Sequence, residues 1–197
     1  MRSAAILVGG KATRFDGRDK GALVVEGRSI LDRQVMELSS VVEDVMLVGR
    51  ADGAAPRPGT RVVADAVAGC GPLGGLHAAL AAAKGDAVFV VACDMPYVSA
   101  AFVDYLFSLA GEKPIVVPQT DRGYHPLCAV YTRACLEPVA ARIAERRLAL
   151  RALLDDVPAR VVTAAEIARF GAPSQLLANV NTPAEYADLE AIQGHKP

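Results

Sequence analysis

The residues best suited to chemistry stand in a glycine-rich, charged segment directly after the first apolar run. It reads Gly9-Gly10-Lys11-Ala12-Thr13-Arg14-Phe15-Asp16-Gly17-Arg18-Asp19-Lys20-Gly21. Glycines after a buried strand let the backbone approach a ligand and turn its N–H groups inward. The four cations Lys11, Arg14, Arg18 and Lys20 could then meet a triphosphate. The spacing does not match a Walker A loop, and an ordinary turn with solvated charges is the alternative interpretation.

A second candidate is Asp94, which follows the apolar run 87–92 and precedes Met95-Pro96. A carboxylate at the end of a buried strand, beside a phosphate-binding loop, is well placed to hold Mg²⁺. Asp before a Pro turn is also a common turn or helix cap. The residue pattern by itself leaves a metal ligand and a cap as equal alternatives.

A competing motif lies at Gly69-Cys70-Gly71-Pro72-Leu73-Gly74, which matches G-x-G-x-x-G and has Asp94 downstream. Such a motif can bind the pyrophosphate of a dinucleotide when it makes a tight turn after a strand. Here Asp65-Ala-Val-Ala intervenes, and the motif leaves the charged loop at Gly9 unexplained. We therefore predict that these glycines let loop and helix pack close to a nucleotide. A NAD-binding oxidoreductase remains an alternative.

Three weaker signals lie in the second half of the chain. His125 precedes an apolar run, where a lone His is more often a packed or surface residue than a catalyst. The segment 179–183, Asn-Val-Asn-Thr-Pro, fits a helix cap through Thr182 before Pro183, although neither Asn is needed for that cap. The run 145–147, Glu-Arg-Arg, is typical of a solvated helix face, with anion binding as the alternative.

Short Val- and Ile-rich runs alternate with segments of helical periodicity. The strands are predicted at 4–8, 45–48, 61–64, 87–92, 114–118 and 161–162, with an extended stretch at 125–131. The helices are predicted at 30–38, 72–83, 133–154, from the cap Ser99 to 109, and from Pro183 onward. This alternation predicts an α/β protein, with a mainly parallel sheet covered by helices on both faces, in one domain spanning 1–197.

The predicted strands place the candidate residues at one edge of this sheet. Open α/β sheets bind ligands outside the carboxyl ends of their strands. The first predicted strand runs into Gly9-Gly10, the third into Asp65 and the strand 87–92 into Asp94. The sequence therefore predicts one cleft at that edge.

Bulk composition excludes several classes of protein. The 197 residues are 52% hydrophobic and 5% aromatic with a net charge of -1, so neither nucleic acid nor a membrane is an expected partner. No apolar run approaches the roughly 20 residues that span a bilayer, and the run before Gly9 is too short for a signal peptide. The four cysteines lack C-x-x-C spacing, which argues against structural zinc or disulfides. We expect a soluble cytoplasmic protein.

Taken together, these segments resemble the molybdenum cofactor guanylyltransferases, within the wider nucleotidyltransferase superfamily. The family opens with L-A-G-G-x-x-x-R-M-G-x-D-K-G, and this chain has Leu7 to Gly10, Arg14-Phe15 and Gly17 to Gly21. The further family motifs match in order, as Asp65, 71–74 for G-P-L-x-G, 93–96 for C-D-x-P, 125–126 for H-P and 179–185 for N-x-N-T-P-x-E. Two positions depart: Phe15 replaces Met, and Val48-Gly49 stands where the family often has Asn near the guanine.

The resemblance implies a Rossmann-like nucleotidyltransferase fold with three α/β/α layers, and a role for each matching residue. Leu7, Val8, Gly9, Gly10 and Lys20 would hold the nucleotide, with Asp65 near its base or ribose. Asp94 would ligate Mg²⁺, and Lys20 and Arg14 would act with it in catalysis. His125, Arg147, Asn179 and Asn181 would lie toward molybdopterin. The paired glycines resemble the guanylyl branch, since cytidylyl relatives typically show A-A-G.

The reaction expected from this resemblance is transfer of GMP from Mg-GTP to the terminal phosphate of molybdopterin, with release of pyrophosphate. GTP and molybdopterin would be the substrates, and proteins that insert the molybdenum cofactor, or molybdoenzymes, would be transient partners. A cytidylyl- or sugar-phosphate nucleotidyltransferase shares the fold and chemistry and is the main alternative. A nucleotide-binding protein without catalytic activity is a further one.

Overall fold

The chain is built around one mixed, eight-stranded sheet. The structure is a computed structural model that describes residues 1–8, 20–49, 57–65, 67, 69–180 and 186; the side chain of Lys20 lies outside this description. The strands are β1 (Ser3–Leu7), β2 (Val24–Val25), β3 (Arg28–Ser29), β4 (Asp44–Gly49), β5 (Thr60–Ala64), β6 (Ala87–Ala92), β7 (Ile115–Thr120), β8 (Gly123–Tyr124), β9 (Cys128–Thr132) and β10 (Ala159–Val162).

Helices flank this sheet. The α-helices are α1 (Ile30–Ser39), α2 (Gly71–Ala82), α3 (Ala100–Ser108), α4 (Leu136–Ala144), α5 (Leu153–Asp156), α6 (Ala164–Ile167) and α7 (Pro173–Leu176). Single 3₁₀ turns occur at Lys20–Ala22, Arg133–Cys135 and Leu150–Ala152. The helices α1 and α3 begin at the side-chain caps Ser29 and Ser99, whose hydroxyls accept the N–H groups of Asp32 and Phe102. The predicted cap at Ser99 is therefore confirmed.

The order of the sheet puts β1 at its centre. The strands run β10-β7-β9-β6-β1-β4-β5, and β8 pairs with β7. β1 is parallel to both β4 and β6, whereas β9 is antiparallel to both β6 and β7. The chain thus leaves β1 toward β4 and β5 on one side and returns to β6 on the other. Such a switch in strand order opens a crevice at the carboxyl ends of the strands, where ligands of α/β sheets bind.

Alternation along the central strands builds a core on each face of the sheet. In β1, Ala4 and Ile6 pack into one apolar cluster, while Ala5 and Leu7 pack into the other. Residues of α1 and α3 complete the first cluster, and residues of α2 and α4 complete the second. Because successive strand side chains point to opposite faces, a strand covered on both sides must be apolar throughout. The predicted three-layer α/β/α fold is confirmed.

The predicted helix over 133–154 is wrong in its middle. α4 ends at Ala144, and Arg146 has a φ of 58°, outside the helical region. The buried guanidinium of Arg142 donates from Nη1 to the Ala152 carbonyl (3.0 Å) and from Nη2 to the Ala149 carbonyl (3.4 Å). A non-helical backbone needs partners for its polar groups. Arg142 supplies them from a distance in sequence that helical periodicity does not reveal.

Two short features escaped the sequence patterns. The β2–β3 hairpin turns at Glu26 and Gly27, which have φ values of 51° and 78°. Two positive φ angles are typical of the tight hairpin turn, where Asn-Gly or Asp-Gly is the usual signal and Glu is rare. In the predicted extended stretch 125–131, the strand β9 begins only at Cys128. The short strand β8 precedes this stretch and pairs with β7, and the sequence patterns did not predict it.

The structure also bears on membrane-spanning helices and on the cysteines. No helix in the described ranges combines the length and the apolar character needed to cross a membrane. All four cysteines are free thiols in the structure.

Candidate active site

The carboxyl ends of three strands meet at one edge of the sheet. The N–H of Val8 donates to the Val48 carbonyl (2.9 Å), so the pairing of β1 with β4 continues one residue past the strand. The N–H of Cys93 donates to the Leu7 carbonyl (3.3 Å), and that of Asp65 to the Gly49 carbonyl (3.4 Å). These bonds place Val8, Asp65 and the residue that precedes Asp94 along the same edge.

The backbone around Asp94 is held by two separate elements. Gln34 of α1 is 1% exposed, and its Nε2 donates to the carbonyls of Ala92 (2.8 Å) and Met95 (2.9 Å). These two carbonyls lie on either side of Asp94 in the chain. From the other direction, the N–H of Val180 donates to the Asp94 carbonyl (2.9 Å). Asp94 therefore stands on a turn that α1 and the segment after α7 both fix.

Gln34 was not among the predicted site residues. The predicted apolar stripe of α1 runs through Ile30, Leu31, Val35 and Leu38, and Gln34 lies on that face, four residues after Ile30. A polar residue on a buried face must find hydrogen-bond partners or pay the cost of desolvation. That interruption of the stripe was the available signal. Its partners, about sixty residues away in sequence, could be seen only in the folded chain.

A cavity of about 380 Å³ opens beside Asp94. Its lining includes three of the predicted site residues, Asp94, His125 and Asn179, which come from three separate segments. The remaining lining residues are Ala92, Met95, Arg122, Tyr124, Pro126, Leu127 and Leu177. Arg122 and Tyr124 belong to the β7–β8 hairpin, which the sequence patterns did not predict. The cavity thus joins a carboxylate to an imidazole, an amide and a guanidinium.

His125 is half-buried and held by the hairpin. Its Nε2 lies 2.9 Å from the hydroxyl Oγ1 of Thr120, and its backbone N–H donates to the Pro118 carbonyl (2.9 Å). Burial, and then the positive charges of Arg122 and Arg151, lower the pKa of His125 below its ordinary value, against a smaller opposing effect of Asp121. The imidazole is therefore neutral at neutral pH, and one ring nitrogen carries a proton while the other accepts.

Asp65 is the second carboxylate at the strand ends. Its Oδ1 is buried and has no hydrogen-bond partner in the part of the chain that the structure describes, and burial raises the pKa of this carboxyl. Desolvation disfavours the charged form of a carboxylate, so an unsatisfied acid in such a place costs the folded protein stability. A group kept at that cost is a candidate for ligand contact.

Gly74, the last glycine of the G-x-G-x-x-G motif, and the following Gly75 have a packing role in the structure. A Cβ at Gly74 would come within 3.0 Å of the Cys70 Cβ and 3.3 Å of the Val67 carbonyl oxygen, and one at Gly75 within 3.1 Å of Leu7 Cδ2. The absence of side chains therefore lets the first turn of α2 lie against β1 and the loop after β5. This close approach accounts for Gly74 without a dinucleotide. Gly69 and Gly71 have positive φ values of 79° and 55°, a conformation that favours glycine.

Arg147 is not brought to the cavity. Its side chain, 48% exposed, forms ion pairs from Nε to Glu145 (2.6 Å) and from Nη1 to Asp156 (3.3 Å). Four other predicted residues, Gly9, Gly10, Arg14 and Asn181, lie outside the described residues, as does the side chain of Lys20. Of the helix predicted from Pro183, only Tyr186 is described; it is helical, and its hydroxyl donates to the Val24 carbonyl.

The oxygen ligands at this edge suit a cation whose other ligands come from the substrate and from water. Within the described residues, no three His, Cys, Asp or Glu side chains cluster closely enough to form a complete metal cage. Mg²⁺ is usually held by one or two carboxylates together with substrate phosphates and water. The carboxylate of Asp94, just after β6, is an oxygen donor of this type and fits such a partial site. Asp65 follows β5, which β1 and β4 separate from β6 in the sheet.

Comparison with known proteins identifies the family of this chain. Residues 4–166 match the model of the MobA-like NTP transferase domain. The molybdenum cofactor guanylyltransferase of Desulfosudis oleivorans is 28% identical over 94% of this chain and 93% of its own. A Clostridium perfringens protein named probable molybdenum cofactor guanylyltransferase is 36% identical over 68% of this chain and 67% of its own.

Among solved structures, molybdopterin-guanine dinucleotide biosynthesis protein A from Archaeoglobus fulgidus superimposes with a TM-score of 0.84 at 22% identity, covering 98% of this chain and 100% of that one. At this identity the likeness concerns the fold. The family match, which covers most of the chain, extends from the first strand through the strand ends that carry Asp65 and Asp94. The chain therefore belongs to the MobA-like NTP transferase family and is an enzyme of the nucleotidyltransferase class.

Proposed function

We propose that this enzyme transfers GMP from Mg-GTP to the terminal phosphate of molybdenum-molybdopterin, forming the guanine dinucleotide cofactor. An oxygen of the acceptor phosphate forms a bond to the α-phosphorus of GTP. The bond from that phosphorus to the bridging oxygen of the β-phosphate breaks, and pyrophosphate leaves with the electron pair. No protein nucleophile is required, and the described lining of the cavity contains no Ser–His or Cys–His pair.

The observation that carries this proposal is the composition of the cavity beside Asp94. A protein that only binds a nucleotide needs a single site at the strand ends. Here the carboxylate predicted to hold the metal shares one cavity of about 380 Å³ with His125 and Asn179, both predicted to face the acceptor. A second substrate held there would stand next to the nucleotide phosphates. That adjacency favours group transfer, because orienting two reactants together removes much of the entropic barrier.

On the nucleotide side, the proposal assigns Leu7, Val8, Gly9, Gly10 and Lys20 to the triphosphate. Asp65 would face the ribose or base, which would give its Oδ1, a buried atom with no partner among the described residues, a hydrogen-bond donor. Asp94 would hold Mg²⁺, which when bound supplies positive charge against the phosphoryl oxygens. Lys20 and Arg14 would add cationic donors where negative charge develops during transfer.

On the acceptor side, the proposal assigns His125, Asn179 and Asn181 to molybdopterin. A neutral imidazole and an amide offer donors and acceptors suited to a polar ring system and its phosphate. Arg122, which the sequence patterns missed, adds a guanidinium to the same lining. The predicted acceptor role of Arg147 has no support from its position, since that side chain pairs with Glu145 and Asp156.

The site of action that we propose is the cytoplasm. The proposed product is a cofactor, which would have to reach a cofactor-insertion protein or a molybdoenzyme. We propose a transient contact with one of these proteins as the partner interaction of this enzyme.

A two-stage experiment tests the proposal. Thermal shift with GTP, CTP, ATP and NADH, with and without Mg²⁺, reports ligand occupancy of the folded state. We expect the largest Mg²⁺-dependent shift with GTP, and then pyrophosphate release only when molybdopterin is added. A larger shift with CTP would instead favour a cytidylyltransferase. Binding of GTP with no pyrophosphate release would favour a protein without catalytic activity, and a shift with NADH alone would refute the nucleotidyltransfer proposal.

A further inference from the structure

The contact between Thr120 and His125 is the only hydrogen bond that a described residue makes to the imidazole ring. It joins Oγ1 of Thr120, the last residue of β7, to Nε2 at 2.9 Å. The same Oγ1 accepts the backbone N–H of Arg122 (3.3 Å), which also donates to the Asp121 carboxylate (3.0 Å). The hairpin turn thus holds the hydroxyl in place against one side of the ring.

We propose that Thr120 is a positioning residue, which fixes His125 as the tautomer that carries its proton on Nδ1 and so makes Nδ1–H a hydrogen-bond donor to the acceptor substrate. The inference rests on the proposed function and deepens it, because it names the atom and the direction of the bond. Thr120 itself does not line the cavity, whereas His125 does.

The direction of the Thr120–His125 bond follows from the capacity of a hydroxyl. A threonine hydroxyl has one proton to donate and two lone pairs. Oγ1 already accepts the Arg122 N–H, and in the described structure the only acceptor for its proton is Nε2. If Nε2 were instead protonated, that hydroxyl proton would lose its protein partner. Donation from Thr120 therefore satisfies both groups, and the ring proton then resides on Nδ1.

The charges around the ring keep it in the neutral form that this role requires. Arg122 lies on the hairpin, and Arg151, from the 3₁₀ turn at Leu150–Ala152, packs against Gly123 with its guanidinium 5.9 Å from the centre of the Tyr124 ring. Both cations disfavour an imidazolium, and Asp121 opposes them weakly. A neutral ring has one donor and one acceptor, so the partner of Nε2 decides the role of Nδ1.

Nitrogen-15 NMR of the histidine rings tests the tautomer directly and needs no substrate. In the wild-type protein at neutral pH, we expect the His125 Nδ1 to carry the proton and Nε2 to be unprotonated. Thr120→Val keeps the shape and removes the hydroxyl, so the bias should be lost, and Thr120→Ser should restore it. Protonation of Nε2 in the wild-type protein would overturn the inference.

Kinetics test the donor role. We expect Thr120→Val to raise the KM for molybdopterin about tenfold, the scale of one hydrogen bond to a charged group, while the KM for GTP and the Tm stay the same. Thr120→Ser should recover most of this loss. An unchanged KM for molybdopterin in Thr120→Val, or an equal rise in both KM values, would contradict a positioning role.

A pair of His125 variants distinguishes the two ring nitrogens. The amide nitrogen of Asn is attached to Cγ, as Nδ1 is, whereas that of Gln lies one bond farther, near the place of Nε2. His125→Asn should therefore retain more acceptor affinity than His125→Gln, and the opposite order would overturn the inference. Failure of the wild-type enzyme to transfer any nucleotide would refute the proposed function, while the NMR result would still decide whether Thr120 sets the tautomer.

Discussion

Replacement of Gln34 by Met should separate the positioning of Asp94 from the stability of the fold. The side chain of Gln34 is buried, and its two hydrogen bonds reach the carbonyls on either side of Asp94 in the chain. Met has a similar length and no polar atom capable of replacing those bonds. The variant therefore releases the turn that carries Asp94 without opening a large cavity.

The expected loss of stability is small because two effects oppose each other. Two hydrogen bonds worth about 1 kcal/mol each are removed, and the Ala92 carbonyl keeps a long bond from the Met95 N–H (3.4 Å). The Oε1 of Gln34 is buried and has no hydrogen-bond partner within the described residues, and Met removes that unsatisfied acceptor. Its removal returns about 1 kcal/mol or more. The free energy of unfolding should therefore fall by only about 1 kcal/mol.

The effect on function should exceed the effect on stability, because a 10–100-fold loss corresponds to about 1.4–2.7 kcal/mol. Removing a group that orients a metal ligand typically costs about 10–100-fold in metal affinity or activity. Turnover measured over a series of Mg²⁺ concentrations should show a higher half-saturating concentration in Gln34→Met. Met36→Leu, at an exposed position of the same helix, is the matched control and should leave both stability and the Mg²⁺ dependence unchanged.

The reasoning would be refuted by a Gln34→Met enzyme whose Mg²⁺ dependence and maximal rate equal those of the wild type. It would also be refuted by a loss of activity that follows unfolding alone. Circular dichroism and thermal melting of the variant at the assay temperature would detect the second case.

Three further variants test other parts of the site and fold. Asp94→Ala should abolish turnover at saturating Mg²⁺ while the thermal melting curve stays close to wild type; residual activity near the wild-type rate would exclude Asp94 as the metal ligand. Asp65→Asn should raise the Tm of the nucleotide-free protein at neutral pH yet reduce the shift caused by GTP. Burial raises the pKa of Asp65, so the folded protein binds this proton more tightly than the unfolded chain, and wild-type stability falls as pH rises through the folded pKa. The advantage of Asn should therefore disappear as the pH is lowered, and melting curves from acidic to neutral pH would show whether it does. Arg142→Met should lower the free energy of unfolding by about 2–3 kcal/mol, because a 4% exposed guanidinium loses its ion pair with Asp156 and its bonds to two carbonyls. Arg147→Met, which removes a more exposed partner of the same Asp156, is its control and should leave the Tm nearly unchanged, and equal losses in chemical denaturation would contradict this account.

The local pattern of the sequence was sufficient to predict most strands of the large sheet and the helices α1, α2 and α3. The unbroken apolar runs 4–7, 45–48 and 87–92, within β1, β4 and β6, reflect a sheet covered on both faces, and that feature is visible in the sequence. The caps at Ser29 and Ser99 and the proline in the first turn of α2 likewise act within three or four residues. Interactions of this kind join residues close in sequence, so they can be predicted without knowing which elements pack together.

The helix 133–154 shows where local pattern failed. Its periodicity continues past Ala144, but Arg142 satisfies carbonyls beyond the end of α4 and so stabilises a non-helical segment. The β2–β3 hairpin was not predicted for another reason. Glu26 occupies a position of positive φ, where Asn or Asp is the usual sequence signal for a tight turn. In the first place the contacts of Arg142 outweighed the helical preference of the segment, and in the second Glu26 adopts a backbone conformation that its residue type does not favour.

The candidate site also has features that the sequence predicts and features that only the folded chain shows. The sequence by itself predicted the class of fold and placed Asp65 and Asp94 just after strands at one edge of the sheet, because strand ends are encoded along the chain. Tertiary structure alone decided that Gln34 supports Asp94, that Thr120 holds His125, and that Arg147 pairs away from the cavity. These are contacts of polar side chains with distant or newly turned segments. Their energy depends on burial and geometry, which only the folded chain provides.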